Sequence, residues 1–305
     1  MKKLLFFLLI LYSIQSYSQV DYNWWNRKNN WDGVSRWSSY LIFSPAFMGP
    51  NALPVPECND GSVQGNASLE FSLEGHYSKG DDTKDIYTRI FLPLFSDRVG
   101  LNLSMVPIEF YKIDTITRDL RRSREYDGKG TSFGDVYVST FIQLVKNRNY
   151  LPDVLISFNL KTASGGNVSA ARYTDSPGYY FDVSFGKDIS LNNSLIKSVR
   201  PFVLGGLYIW QTNREDYFQD DAILYGAGFN LLFAKIELKN YFGGYYGYIG
   251  NGDRPAVYRL TLRSRTKSPF NYKISFQQGI NDYMYSSLRL GFEINFNYNK
   301  KAKFV

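Results

Sequence analysis

The stretch Glu74–Gly80, EGHYSKG, holds the only histidine of the 305-residue chain. His76 and Ser78 stand two residues apart, the spacing that puts both on one face of a strand. A serine beside an imidazole base is the pairing that nucleophilic hydrolysis needs, so His76 and Ser78 are the weak catalytic candidates. The same pair also suits the polar wall of a non-catalytic barrel. Other chemistry is hard to find. No CxxC, HExxH, P-loop or GxGxxG occurs, so neither a metal nor a cofactor is expected. The basic residues are scattered through strand-like segments without a tail or finger array, so nucleic acid is not an expected partner.

The elements that must hold His76 and Ser78 follow a period of two. In 287–296, Leu288, Leu290, Phe292, Ile294 and Phe296 face one way, while Arg289, Gly291, Glu293 and Asn295 face the other. The alternation recurs in VYRLTLRSR, DVLISFNLK and NYKISFQQ. It predicts twelve strands, at 67–78, 85–95, 99–111, 132–145, 153–163, 178–187, 198–211, 222–234, 236–247, 256–267, 270–279 and 286–297. Most approach the roughly 9–11 residues a tilted strand needs to cross a bilayer. The number is even, as in bacterial single-chain barrels. The connections alternate too. The longest, 112–131 and 164–177, fall in the odd-numbered set, while 96–98, 235 and 268–269 are short and even-numbered. The fold class is therefore all-β: a transmembrane antiparallel β-barrel of twelve strands in the cell outer membrane, both termini periplasmic. Aromatic residues near strand ends, such as Tyr87, Phe110, Tyr179, Tyr208, Trp210, Tyr241 and Tyr245, read as interfacial girdles.

Residues 1–18 read as a signal peptide: Lys2 and Lys3, then the apolar run Leu4–Leu11, then Ser16–Ser18. The formal net charge of +7 includes those two lysines, so the exported chain is mildly basic. Cys58 is the single cysteine, which excludes an internal disulfide framework. Residues 19–66 are irregular, broken by Pro45, Pro50, Pro54 and Pro56 and rich in tryptophan. Trp24, Trp25, Trp31 and Trp37 need a surface to pack on, so this segment reads as a plug, a strap or a partner-binding segment. Residues 67–297 form the barrel and 298–305 a periplasmic tail.

The runs Gly134–Leu144, Pro152–Thr162 and Ala170–Asp182, with MGPNALPVPE at 48–57, resemble a group of outer-membrane β-barrel proteins of Bacteroidota. Residues 130–190 are also distantly similar to transporter-like outer-membrane barrels associated with aromatic-compound degradation. Both resemblances imply fold and location. The opening motif resembles the H-x-S-N-G of outer-membrane phospholipases, whose third member is an asparagine on the next strand. Lys79 stands in place of the motif asparagine, and DIYTRIFLPLF contains none. Leu69, Phe71 and Leu73 define the lipid side of the first strand, so His76 falls on the other side, in the lumen.

Alternation assigns a lumen of mixed charge: Glu70, Glu74, His76, Arg89, Lys161, Asp182, Glu237, Lys239, Arg259, Arg263, Lys273, Arg289 and Glu293. Enclosed charges should form ion-pair networks, because unpaired buried charge is costly. The basic cluster Arg259, Arg263, Arg265 and Lys273 suggests anion preference. The expected function is a narrow channel or carrier for small polar or anionic solutes, not an enzyme. The alternatives are a scaffold or accessory subunit of a larger outer-membrane complex, and a lipid hydrolase using His76 and Ser78. The expected partners are outer-membrane lipid and lipopolysaccharide, with other outer-membrane or periplasmic proteins as a further option.

Overall fold

The computed structural model describes residues 21–94, 97–191, 195–266 and 268–296. The expected signal peptide and the expected C-terminal tail lie outside the described residues. The chain divides into two units, the first ending at Ser35 and the second running from Arg36. In the first, Asn23–Lys28 forms a short helix that carries Trp24 and Trp25. The indole of Trp31 donates to the Ser35 carbonyl at 2.9 Å.

The second unit is built on strands β1 Ala67–Ser78, β2 Asp81–Leu94, β3 Val99–Ile113, β4 Lys129–Ser132, β5 Tyr137–Val145, β6 Asp153–Lys161, β7 Gly178–Gly186, β8 Ile189–Ser190, β9 Ile196–Gln211, β10 Gln219–Phe233, β11 Ile236–Gly247, β12 Ala256–Ser264, β13 Phe270–Asn281 and β14 Ser286–Phe296. Twelve of them pair antiparallel in one sheet that closes on itself through β14 and β1, with Phe71 opposite Phe292 and Glu74 opposite Arg289. The short β4 lengthens the hairpin on β3, and β8 clips onto β9. Closure leaves no free sheet edge, which a lipid environment requires.

Alternation divides the faces as the sequence predicts. On β1, Ser68, Glu70, Ser72 and His76 are buried, while Phe71, Leu73 and Tyr77 are exposed. Around the wall the exposed set is apolar, with Ile90, Phe158, Phe181, Leu207, Ile274 and Leu290 among its members. Such a belt is not sustained in water and is the surface a spanning barrel turns to lipid.

Strand β2 begins at Asp81, four residues before the predicted start, so the first connection is a tight turn at Lys79–Gly80 rather than a loop over 79–84. Gly80 takes φ +87°, which the turn needs. The polar DDTKD reads as loop by composition. It is strand because Asp81, Thr83 and Asp85 point inward and find buried partners there.

The aromatic girdle requires a correction. Phe110, Tyr179, Phe242 and Tyr246 do face outward, but Tyr111, Tyr208, Trp210, Tyr241 and Tyr245 are buried inside. Tyr208, Trp210, Tyr241 and Tyr245 belong to a core within the barrel, where Tyr208, Trp210 and Tyr245 meet edge to face with centroids 5.0–5.4 Å apart. What they pack on is the segment ahead of β1: Leu53, Val55 and Cys58 complete this cluster. A second cluster joins Leu41, Phe43, Met48 and Ala52 to Ala171, with Trp37 against it.

Residues 41–64 thus run through the lumen. Ser44 Oγ donates to the Asn251 carbonyl at 3.0 Å and Gly49 N to the Ala171 carbonyl at 2.8 Å, both in long connections. At the other end Gly61 N donates to Ser184 Oγ at 3.2 Å, and Val63 N to Gln143 Oε1 at 3.0 Å. Residues 44–49 therefore lie at the long-loop end of the barrel and Phe296 at the short-turn end. The two termini, expected together on the periplasmic side, lie outside the described residues. A segment that crosses the lumen enters it opposite to where β1 starts. Prolines keep it out of the sheet, and the wall side chains supply the partners its backbone would otherwise lack.

Candidate functional site: the filled lumen

The thirteen predicted lumen residues are all buried or half-buried, and the structure sorts them by partner. Most of the charges are paired. Lys273 Nζ lies 3.1 Å from Glu70 Oε1. Arg289 bridges Glu74 at 2.8 Å and Glu57 of the lumen segment at 3.2 Å, and Arg263 pairs with Glu293. Lys161 is fully buried on Asp135 at 2.7 Å, so it braces the wall and lines no open space. Asp182 accepts from Ser157 and from Asn59 of the segment. Arg89 donates to Asn102 Oδ1 at 2.6 Å. Glu237 borders the cavity at the short-turn end.

Three of the cations make no ion pair with a carboxylate among the described residues: Arg89, and two that the lumen segment holds. Arg259 donates to the backbone carbonyls of Val55 at 2.7 Å and Pro56 at 3.1 Å, and to the Tyr241 hydroxyl at 3.0 Å. Lys239 donates to the carbonyl of Cys58. Neither meets a carboxylate among the described residues, so neutral carbonyls of the segment hold charges that an anion would satisfy more strongly. A cavity of about 320 Å³ adjoins them, lined also by Glu74, His76, Arg89, Lys273 and Arg289. A second, of about 160 Å³, is bounded by Asn51, Tyr87, Asn102, Tyr180 and residues 54–57. Glu57 and Arg289 border both.

The long-loop end is closed by a network that the sequence did not disclose. Arg172, fully buried, donates to Asp81 Oδ2, Glu109 Oε1 and Thr83 Oγ1, each at 2.8 Å. Arg121 reaches Asp81 at 2.6 Å and the Tyr285 hydroxyl at 2.7 Å. Burial works against the Arg172 charge, but Glu109 and Asp81 outweigh it and hold its proton more firmly than usual. Asn51 of the segment donates to both Asp85 and Glu109 at 2.8 Å, tying the segment to this closure. The only signal in the sequence was the cluster of charges in regions that read as loop.

His76 and Ser78 do not meet. Ser78 Oγ donates to the Asp81 carbonyl at 3.3 Å. His76 Nδ1 lies 2.7 Å from Ser287 Oγ, and Nε2 lies 3.0 Å from Asp85 Oδ2. Ser287, His76 and Asp85 have the residue types of a hydrolytic triad, but with the ring reversed: in the usual template Nε2 serves the serine and Nδ1 the carboxylate. All three are buried on the inner side of the wall, away from lipid. Trp37 packs on the second lumen cluster, beneath the Arg124 guanidinium at 4.8 Å. Trp24, Trp25 and Trp31 belong to the first unit.

A closed twelve-stranded barrel with an apolar outside, a charged inside and an internal segment has the build of a membrane-spanning β-barrel. The chain is similar to a solved outer membrane channel from Pseudomonas putida F1, at 12% identity over 79% of this chain and 100% of that one, with a TM-score of 0.54. It is also similar to the KdgM porin solved in complex with disordered oligogalacturonate, at 9% identity over 75% of this chain and 99% of that one, TM-score 0.46. The NanC porin stands at 11% identity over 74% and 100%, TM-score 0.46. The first likeness shows the shared fold. No protein-family model matches the chain, and a search of curated proteins returned no match.

Proposed function

We propose that this protein is an outer-membrane channel for small anionic solutes, and that the lumen segment 41–64 controls conduction through it. The observation that carries the reading is the pair Arg259 and Lys239, inward cations held by the carbonyls of Val55, Pro56 and Cys58. Withdrawing the segment would free these charges in the lumen beside Arg89, Lys273 and Arg289, and lining charge of one sign sets ion preference through the local field. The wall charges Glu70, Glu74 and Glu293 are already matched by basic partners and so do not cancel the two released cations.

In this reading the apolar belt meets lipid and, in the outer leaflet, lipopolysaccharide. The short-turn end faces the periplasm, and the lumen chemistry is binding and passage without hydrolysis. Kinship with barrels of Bacteroidota, and more distantly with those associated with aromatic-compound degradation, rests on the motifs at 134–144, 152–162 and 170–182.

Planar-bilayer recording across a salt gradient tests the proposal. The native chain should open rarely and with anion preference. A Lys239→Glu, Arg259→Glu double variant should open more often, because it loses the carbonyl latch, and should shift its reversal potential toward cations. Traces that stay silent for both correctly folded proteins would overturn the channel reading.

A further inference from the structure

Glu74 and His76 alternate on the inner face of β1, and Asp85 stands opposite Glu74 on β2. His76 Nε2 lies 3.0 Å from Asp85 Oδ2 and 3.9 Å from Glu74 Oε1. One ligand atom from each residue lies within 4.8 Å of the others, the one such grouping found among the described residues. Two donors bound to a tetrahedral zinc ion at roughly 2.0–2.2 Å stand about 3.3 Å apart. The observed separations from Nε2 bracket that value.

Hydrogen bonding within the group leaves a remainder. Asp85 Oδ1 is buried and has no hydrogen-bond partner, on a residue only 4% exposed. Asn51 takes up Oδ2 instead, at 2.8 Å. On Glu74 the arginine Arg289 engages Oε2, which leaves Oε1 as the atom that faces the imidazole. The third element is the other face of the ring. Ser287 Oγ, 2.7 Å from Nδ1, can accept an Nδ1 proton and so fix the tautomer that leaves Nε2 free to ligate.

We propose that Glu74, His76 and Asp85 form a binding site for a divalent transition-metal ion of the zinc class. The ion takes the place of the proton shared between His76 Nε2 and Asp85 Oδ2. An imidazole with two carboxylates suits zinc and its neighbours, whereas magnesium and calcium favour oxygen donors alone. Entry is from the cavity of about 320 Å³, which Glu74 and His76 line. Because Asn51 bridges Asp85 and Glu109, the ion would sit beside the point where the lumen segment is fastened. The site stands on its own geometry and does not depend on the channel reading.

The test uses the full exported chain in detergent, stripped with chelator and titrated with Co²⁺, whose visible bands report ligation directly. The expected result is one Co²⁺ per chain, displaced by Zn²⁺ and unaffected by excess Mg²⁺. His76→Gln should abolish the bands, and Ser287→Ala should weaken binding tenfold or more, the usual loss when a partner of a ligating histidine is removed. Folding is checked by heat-modified electrophoretic migration. If His76→Gln fails that check, Asp85→Asn replaces it, with the same loss expected. Absence of stoichiometric binding by the native chain, or binding unchanged in a correctly folded ligand variant, overturns the proposal.

Discussion

The sulfur of Cys58 lies against the α-carbon of Gly226, in the space a β-carbon at that position would need. Gly243 on the neighbouring strand gives way to the same sulfur, where a β-carbon would stand 2.9 Å from it. Two small residues side by side on β10 and β11 form a socket for the lumen segment, an instance of glycine marking close backbone approach. Gly226→Val should therefore unseat the segment while leaving the barrel closed. Cys58 is buried in the native chain and should resist maleimide in the folded protein. In the variant it should be labelled within minutes, read as a mass shift. A variant that folds and stays unlabelled would show that the segment is held elsewhere.

Removing Arg172 should be far more damaging than removing a surface arginine. It leaves Asp81 and Glu109 buried without their main countercharge. Breaking one partner of a buried ion pair costs on the order of 3–5 kcal/mol. Arg172→Ala should lower the temperature at which the folded band converts to the unfolded one. Arg214→Ala, in a largely exposed pair with Asp216, should change it little.

The long-loop end should be the cell surface. Ile116 and Tyr150 are exposed at opposite ends, in the helix Thr115–Leu120 after β3 and in the β5–β6 connection. In a Cys58→Ser background, Ile116→Cys should react with an impermeant reagent on intact cells and Tyr150→Cys should not. The reverse pattern would invert the topology.

Phospholipid should not be hydrolysed. His76 is bonded to Ser287 and Asp85 on the inner side of the wall, while lipid meets the outer side. Purified protein given phospholipid vesicles, with or without Ca²⁺, should release no fatty acid. Turnover that vanished in Ser287→Ala would show that the lumen admits an ester and that the reversed ring is competent.

The sequence by itself determined the faces of the wall. Alternation through Leu288, Leu290 and Phe292 against Arg289 and Glu293 is a property of local geometry, and it survives folding unchanged because a strand turns successive side chains to opposite sides. It also marked 19–66 as a segment whose aromatic and proline content needs a surface to pack on. Only the tertiary structure decided that the surface for residues 41–64 is the barrel's own interior. The decisive contacts join residues far apart in the chain, such as Arg259 with the Val55 carbonyl across 204 positions. Periodicity tells which way a side chain points but not what it meets. For the same reason DDTKD read as loop: Asp81, Thr83 and Asp85 are strand residues because Arg172, Arg121 and His76 arrive from elsewhere to match them. Closing the barrel brings β14 beside β1 and Ser287 beside His76, so the histidine that opened the question has partners on β2 and β14 and not the serine two residues away.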